Sequence, residues 1–173
     1  TLSGANTYSG GTLVNSGTLV GNAASLQGDI VNGTVVTFNQ SGTGTYAGVM
    51  SGLGSLIKSG SGTLVLGGIN TYTGDTTVSA GTLQGDTSSL QGNIANNAQV
   101  TFNQATTGTY AGLMYGSGRL QKTGAGTLSL LSANTYRGTT TLSSGGLYIE
   151  GNQAGATGAL TVAQGATLGG KGT

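Results

Sequence analysis

No cysteine, proline, histidine or tryptophan occurs among the 173 residues, and only five basic and four acidic groups do. Without His or Cys there is no imidazole base, no Ser-His-Asp or Cys-His arrangement and no thiolate metal site. No cofactor and no metal is expected, and any catalytic domain would lie outside this stretch. The lysines and arginines, Lys58, Arg119, Lys122, Arg137 and Lys171, are scattered along the chain. A nucleic-acid binder needs them clustered to displace counterions, so nucleic acid is set aside as a partner. No apolar run approaches the roughly 20 residues that span a bilayer as a helix. Disorder would need self-repulsion, and the net charge is only +1.

What is abundant is glycine, with 36 residues, and threonine, with 29. Asn6-Thr7-Tyr8 returns as Asn70-Thr71-Tyr72 and as Asn134-Thr135-Tyr136, followed in turn by Gly10, Gly74 and Gly138. The two intervals are equal. Aligned without gaps, residues 1–64 and 65–128 agree at 38 positions. A third, partial copy runs over 129–147, and 148–173 reads as divergent C-terminal coils. Self-similarity at a fixed period is the mark of stacked units that bury one another's faces. The whole of 1–173 is therefore expected to form one body.

The runs between glycines are short and rich in β-branched residues. Thr63-Leu64-Val65-Leu66, Thr76-Thr77-Val78-Ser79 and Thr82-Leu83-Gln84 read as strands of three to five residues. Helix periodicity is missing, and a glycine every few positions costs a helix about 1 kcal/mol each relative to alanine. Such strands could form a sandwich or barrel of hairpins, or coil into a right-handed parallel β-helix. Two-residue hairpin turns are scarce, with Asn32-Gly33 the exception, and the lack of proline suits strands that donate to ladders on both sides. The expected fold is an all-β solenoid of about eight coils with essentially no α-helix. A 64-residue period divides into three turns of about 21 residues, comparable to known solenoid repeats. On that division Tyr8, Tyr72 and Tyr136 would be spaced along the rod by three strand separations of about 4.8 Å each. Leu64, Leu66, Val78 and Leu83 are expected to point inward. Asn6, Asn70 and Asn134 read as corner residues bonding nearby backbone. Thr76, Thr77, Thr139, Thr140 and Thr141 read as candidates for an exposed ladder.

The block from Gly60 to Leu83, repeated from Gly124 to Leu147 and in its latter part from Leu2 to Leu19, resembles the passenger-associated transport repeat of bacterial autotransporters. Residues Asn6, Thr7, Tyr8 and Gly10, Asn70, Thr71, Tyr72 and Gly74, and Asn134, Thr135, Tyr136 and Gly138 carry the motif, and the reading gives them a structural role. The resemblance implies a type V secretion passenger, folded as a right-handed β-helix at the surface of a Gram-negative bacterium. It implies a C-terminal outer-membrane barrel as partner. The chain opens at Thr1 inside a patterned segment, so a longer protein is expected.

The expected function is a stem whose repeats support secretion and folding and which displays an effector at the cell surface. The alternative is an adhesin, making host-surface contact or self-association through a Thr/Asn/Ser-rich face. Asp75 and Asp86 are the one carboxylate pair close enough in sequence to suggest glycosidase chemistry, but solvated turn aspartates are the commoner use. Spaced threonines at Thr71 and Thr73 and at Thr139 and Thr141 suggest ice binding, although the copies are irregular. Uncovered ladders at Thr1 and Thr173 would favour end-to-end association.

Overall fold

In the computed structural model, which describes residues 1–172, twenty short strands follow one another. The first are β1 (Thr12–Val14), β2 (Thr18–Gly21), β3 (Ile30–Asn32), β4 (Val35–Asn39), β5 (Gly44–Tyr46), β6 (Met50–Ser51) and β7 (Ser55–Ser59). Next come β8 (Thr63–Leu66), β9 (Thr76–Val78), β10 (Thr82–Gly85), β11 (Ile94–Asn96), β12 (Gln99–Asn103), β13 (Gly108–Tyr110) and β14 (Met114–Tyr115). The last are β15 (Arg119–Thr123), β16 (Thr127–Leu130), β17 (Thr140–Leu142), β18 (Gly146–Ile149), β19 (Leu160–Val162) and β20 (Thr167–Gly169). Among the described residues there is no α-helix, and every strand pairing is parallel.

The chain is a right-handed parallel β-helix of about eight coils. Each strand pairs with strands one coil away. Along one inward row, Leu19 stands opposite Val36, Val36 opposite Leu56, and Leu56 opposite Thr76. A seven-stranded sheet runs β5-β8-β10-β12-β15-β17-β19, and a six-stranded sheet runs β2-β4-β7-β9-β11-β14. The remaining face is divided into β1-β3-β6 and β13-β16-β18-β20. The Asn70–Tyr72 stretch continues that face above β6, where the Thr71 amide donates to the Met50 carbonyl at 2.8 Å.

Strand alternation fills the interior. Leu64, Leu66, Val78 and Leu83 are all buried, as their position in the repeat predicts. Phe38 and Tyr46 meet inside with ring centroids 5.1 Å apart, and Phe102 and Tyr110 repeat the contact at 5.2 Å.

The expectation of three turns per repeat is corrected by these ladders. Three full turns from Leu19 end at Thr76, short of a complete repeat. The chain must still round a corner to reach Leu83, the residue equivalent to Leu19, which lies in the next sheet. One repeat therefore spans about three and a third turns. Strands β2, β4 and β7 lie in the six-stranded sheet while their equivalents β10, β12 and β15 lie in the seven-stranded one. Tyr8, Tyr72 and Tyr136 accordingly do not form a row along one side. Most coils are also shorter than an even three-way division gives, and the step from Leu83 to its partner Val100 is among the tightest.

Candidate functional site: the recurring motif and its cross-coil bonds

The asparagine of the Asn-Thr-Tyr-x-Gly motif bonds backbone of a neighbouring coil in each copy, and in the second copy it does so on both sides. Asn70 is buried; its Oδ1 accepts from the Met50 amide at 2.8 Å and its Nδ2 donates to the Ser89 carbonyl at 2.8 Å. One side chain thus ties three successive coils. Asn134 accepts from the Met114 amide at 2.7 Å and donates to the Ser132 carbonyl at 3.1 Å. Asn6, near the end of the stack, donates to the Ser25 carbonyl at 2.8 Å and is only half-buried. These bonds replace the ladder where the strand is interrupted, since a buried amide or carbonyl without a partner costs about 1–3 kcal/mol.

Two residues on, the tyrosine turns inward. The Tyr72 hydroxyl lies 2.7 Å from Thr76 Oγ1, and Tyr136 lies 2.6 Å from Thr140 Oγ1. In the first copy Thr12 Oγ1 donates to the Tyr8 hydroxyl at a looser 3.3 Å. Burial raises the pKa of both Tyr72 and Tyr136, with the threonine bond partly opposing it. Thr7, Thr71 and Thr135 point outward and are exposed. Gly74 and Gly138 sit where a Cβ would run into the carbonyls of Gly54 and Gly118 in the coil beneath. A Cβ at Gly10 would meet nothing within 4 Å.

Several expectations change. Thr76 and Thr140 are buried partners of the motif tyrosines, so they do not belong to an exposed ladder. Thr77 and Thr141 do face outward, half-buried, and Thr139 is exposed, as alternation requires. Asp75 and Asp86 are separately engaged. Asp75 Oδ1 accepts from Asn93 Nδ2 at 3.2 Å, whereas Asp86 caps a single helical turn by accepting from the amides of Ser88 and Ser89 at 2.8 and 3.0 Å. Burial opposes ionisation of Asp86, but the Ser88 and Ser89 hydrogen bonds outweigh it and hold its carboxyl below the ordinary value. No group of three or more His, Cys, Asp and Glu converges among the described residues.

Sequence reading missed the lysines. Lys58 and Lys122, one repeat apart, are fully buried. The Lys58 ammonium donates to the carbonyls of Ser59 and Gly60 at 2.8 Å each and of Ala80 at 3.0 Å. Lys122 repeats the cradle with Thr123, Gly124 and Ser144 at 2.8, 2.9 and 3.2 Å. Burial lowers the pKa of both. The signal that could have found them is their place in strands β7 and β15, two residues after the inward Leu56 and Leu120, where alternation turns them into the core.

A single-chain β-solenoid built on this motif is the architecture of an autotransporter passenger. The passenger-associated-transport-repeat family matches residues 1–20, 56–84 and 120–149. The chain is also 40% identical, over an alignment of 199 residues, to the adhesin BmaC autotransporter of Brucella suis biovar 1 (strain 1330). That alignment takes in 96% of this chain and 6% of the relative, so the chain spans a small part of the protein it resembles. No solved structure matches. The chain is an autotransporter passenger segment with transport repeats, and its place is the bacterial cell surface, reached through the outer membrane.

Proposed function

We propose that this segment is a structural stem whose repeats support secretion and folding of the passenger and hold an effector region away from the membrane. The observation that carries this reading is the locality of every ladder. Thr18 pairs with Val35, Val36 pairs in turn with Leu56, and even the longest steps, such as Tyr148 to Gly169, reach only the adjacent coil, so each coil needs only the one before it as a template. A chain emerging through the C-terminal barrel of the full-length protein could add coils in order, and each docked coil would oppose backsliding. The motif residues, with Asn70, Tyr72 and Gly74 as the best-covered set, have the structural part of bonding one coil to its neighbours. No catalytic activity is assigned to this stretch.

Removing residues 65–128 from the full-length protein tests the stem. The rod should shorten and surface display should fall, measured by surface labelling of intact cells. Unchanged display would count against a contribution to transport.

A second reading, adhesion, is favoured by the likeness to a protein named as an adhesin. It gives the outer face of the solenoid a partner on another surface. Cell-aggregation and host-binding assays with and without this region separate it from the stem.

A further inference from the structure

The two arginines of the chain, Arg119 and Arg137, are both exposed and both border grooves that meet at Ser117. One groove, of about 580 Å³, passes Asn97, Gln99, Ser117 and Arg119. The other, of about 540 Å³, passes Tyr115, Ser117 and Arg137. No aspartate or glutamate lines either. The residues belong to three successive coils. The Arg119 amide donates to the Ala98 carbonyl, and the Arg137 amide donates to the Gly116 carbonyl, each at 2.8 Å. Two of the other three cations, Lys58 and Lys122, are sealed in the core, so this corner holds much of the positive charge that solvent can reach.

The preceding copy provides an internal control. Between the copies the core is unchanged: Ile30 and Ile94, Val36 and Val100, Phe38 and Phe102, Met50 and Met114 are identical and buried. Of the groove lining, Gly81, Thr82, Gly116, Gly118 and Thr135 are also shared with the preceding copy, whereas the six residues available for recognition all differ. Gly33, Val35, Ser51, Leu53, Ser55 and Thr73 occupy the places that Asn97, Gln99, Tyr115, Ser117, Arg119 and Arg137 take one repeat later. The backbone accepts either set, so folding does not require the second one.

We propose that this corner binds an acidic oligosaccharide; the proposal rests on the adhesion reading and names its ligand class. Arginine forks match a carboxylate or sulfate, the Asn97 and Gln99 amides and the Ser117 hydroxyl suit sugar hydroxyls, and the exposed Tyr115 ring offers a face to a pyranose. The coil rise of about 4.8 Å is close to the length of one extended sugar residue, so neighbouring coils can meet neighbouring sugars. Two arginines are too few for a nucleic-acid backbone. An extended peptide finds no free ladder here, because β15 is already paired with β12 on one side and β17 on the other.

The test is calorimetric titration of the protein with a galacturonic acid hexamer, its methyl ester and hexaglutamate. The acidic sugar should bind, the ester and the peptide should bind much more weakly, and added salt should weaken the sugar complex. Arg119→Ser and Arg137→Thr, the residues of the preceding copy, should each reduce affinity about tenfold. Tyr115→Ser should reduce it as well, and circular dichroism should confirm that all three variants fold. Absence of hexamer binding, equal binding of the ester or peptide, or undiminished binding by both arginine variants overturns the proposal. Cells that display the double arginine variant and still adhere would remove this surface while leaving adhesion elsewhere on the passenger intact.

Discussion

Lys58 reaches across a coil boundary to the carbonyl of Ala80 at 3.0 Å, and its other two acceptors are also backbone carbonyls. It acts as a staple made from one ammonium group. Lys58→Ala should lower stability by about 3 kcal/mol, because three carbonyls lose their donor and the stem leaves a cavity. Lys58→Met, which keeps the stem, should cost about 1–2 kcal/mol. Urea denaturation followed by circular dichroism distinguishes the two. Equal and negligible losses would mean that water serves the carbonyls as well.

The pair Tyr72 and Thr76 should behave as a unit. Tyr72→Phe leaves Thr76 Oγ1 without its buried partner and should cost about 1–3 kcal/mol, and Thr76→Val should cost a similar amount. Together they should cost less than the sum. A double-mutant cycle with no coupling would show that the hydroxyls are satisfied independently.

Glycine at the end of the motif is a demand of the coil beneath. Gly74→Ala forces a Cβ into the Gly54 carbonyl and should destabilise by about 1–3 kcal/mol, whereas Gly10→Ala, with open space, should change little. Comparing their thermal midpoints checks the contrast.

Alkaline stability should show two opposed effects. The folded-state pKa of Lys58 and Lys122 is lowered from 10.5, so the cost of burying their charge is present at neutral pH and is relieved as pH rises towards 10.5. Burial raises Tyr46, Tyr72, Tyr110 and Tyr136 above 10.0, so their contribution is intact below pH 10 and is lost above it as unfolded phenols ionise. Midpoints measured from pH 7 to pH 12 should hold or rise slightly and then fall. Lys58→Met with Lys122→Met should abolish the rise only.

The last coils leave apolar side chains uncovered. Leu160 and Val162 continue the rows of buried Thr140 and Leu142, and Leu168 stands over buried Leu147, yet they are 39%, 41% and 42% exposed. Sedimentation of the 173-residue chain at rising concentration should reveal end-to-end association, and Leu160→Thr with Val162→Thr should reduce it. A monomer at all concentrations would refute end stacking. The ladder expected to stay open at Thr173 itself lies outside the described residues.

The solenoid was legible because its signals are local and repeated. Glycine punctuation, β-branched runs and the recurrence of Asn-Thr-Tyr each concern neighbours in sequence, and Leu64, Val78 and Leu83 lie inside as alternation requires. The number of turns per repeat was not legible, because identity marks equivalent residues without saying which face each occupies. The same gap hid the roles of Thr76 and Lys58. Threonine and lysine are ordinarily surface residues, and only the surrounding coils supply the hydroxyl or carbonyls that make them interior. At the arginine corner, sequence separated Arg119 from Arg137, and only the stacking of Gly116 under Arg137 brings them around Ser117.

The fractional turn left over by each copy has a geometric outcome for a rod standing on a cell. Successive copies look out along different compass bearings, and about three of them complete the circle. A feature written once into the repeat would be presented all round, so a target approaching from any direction would meet it without the rod having to swivel.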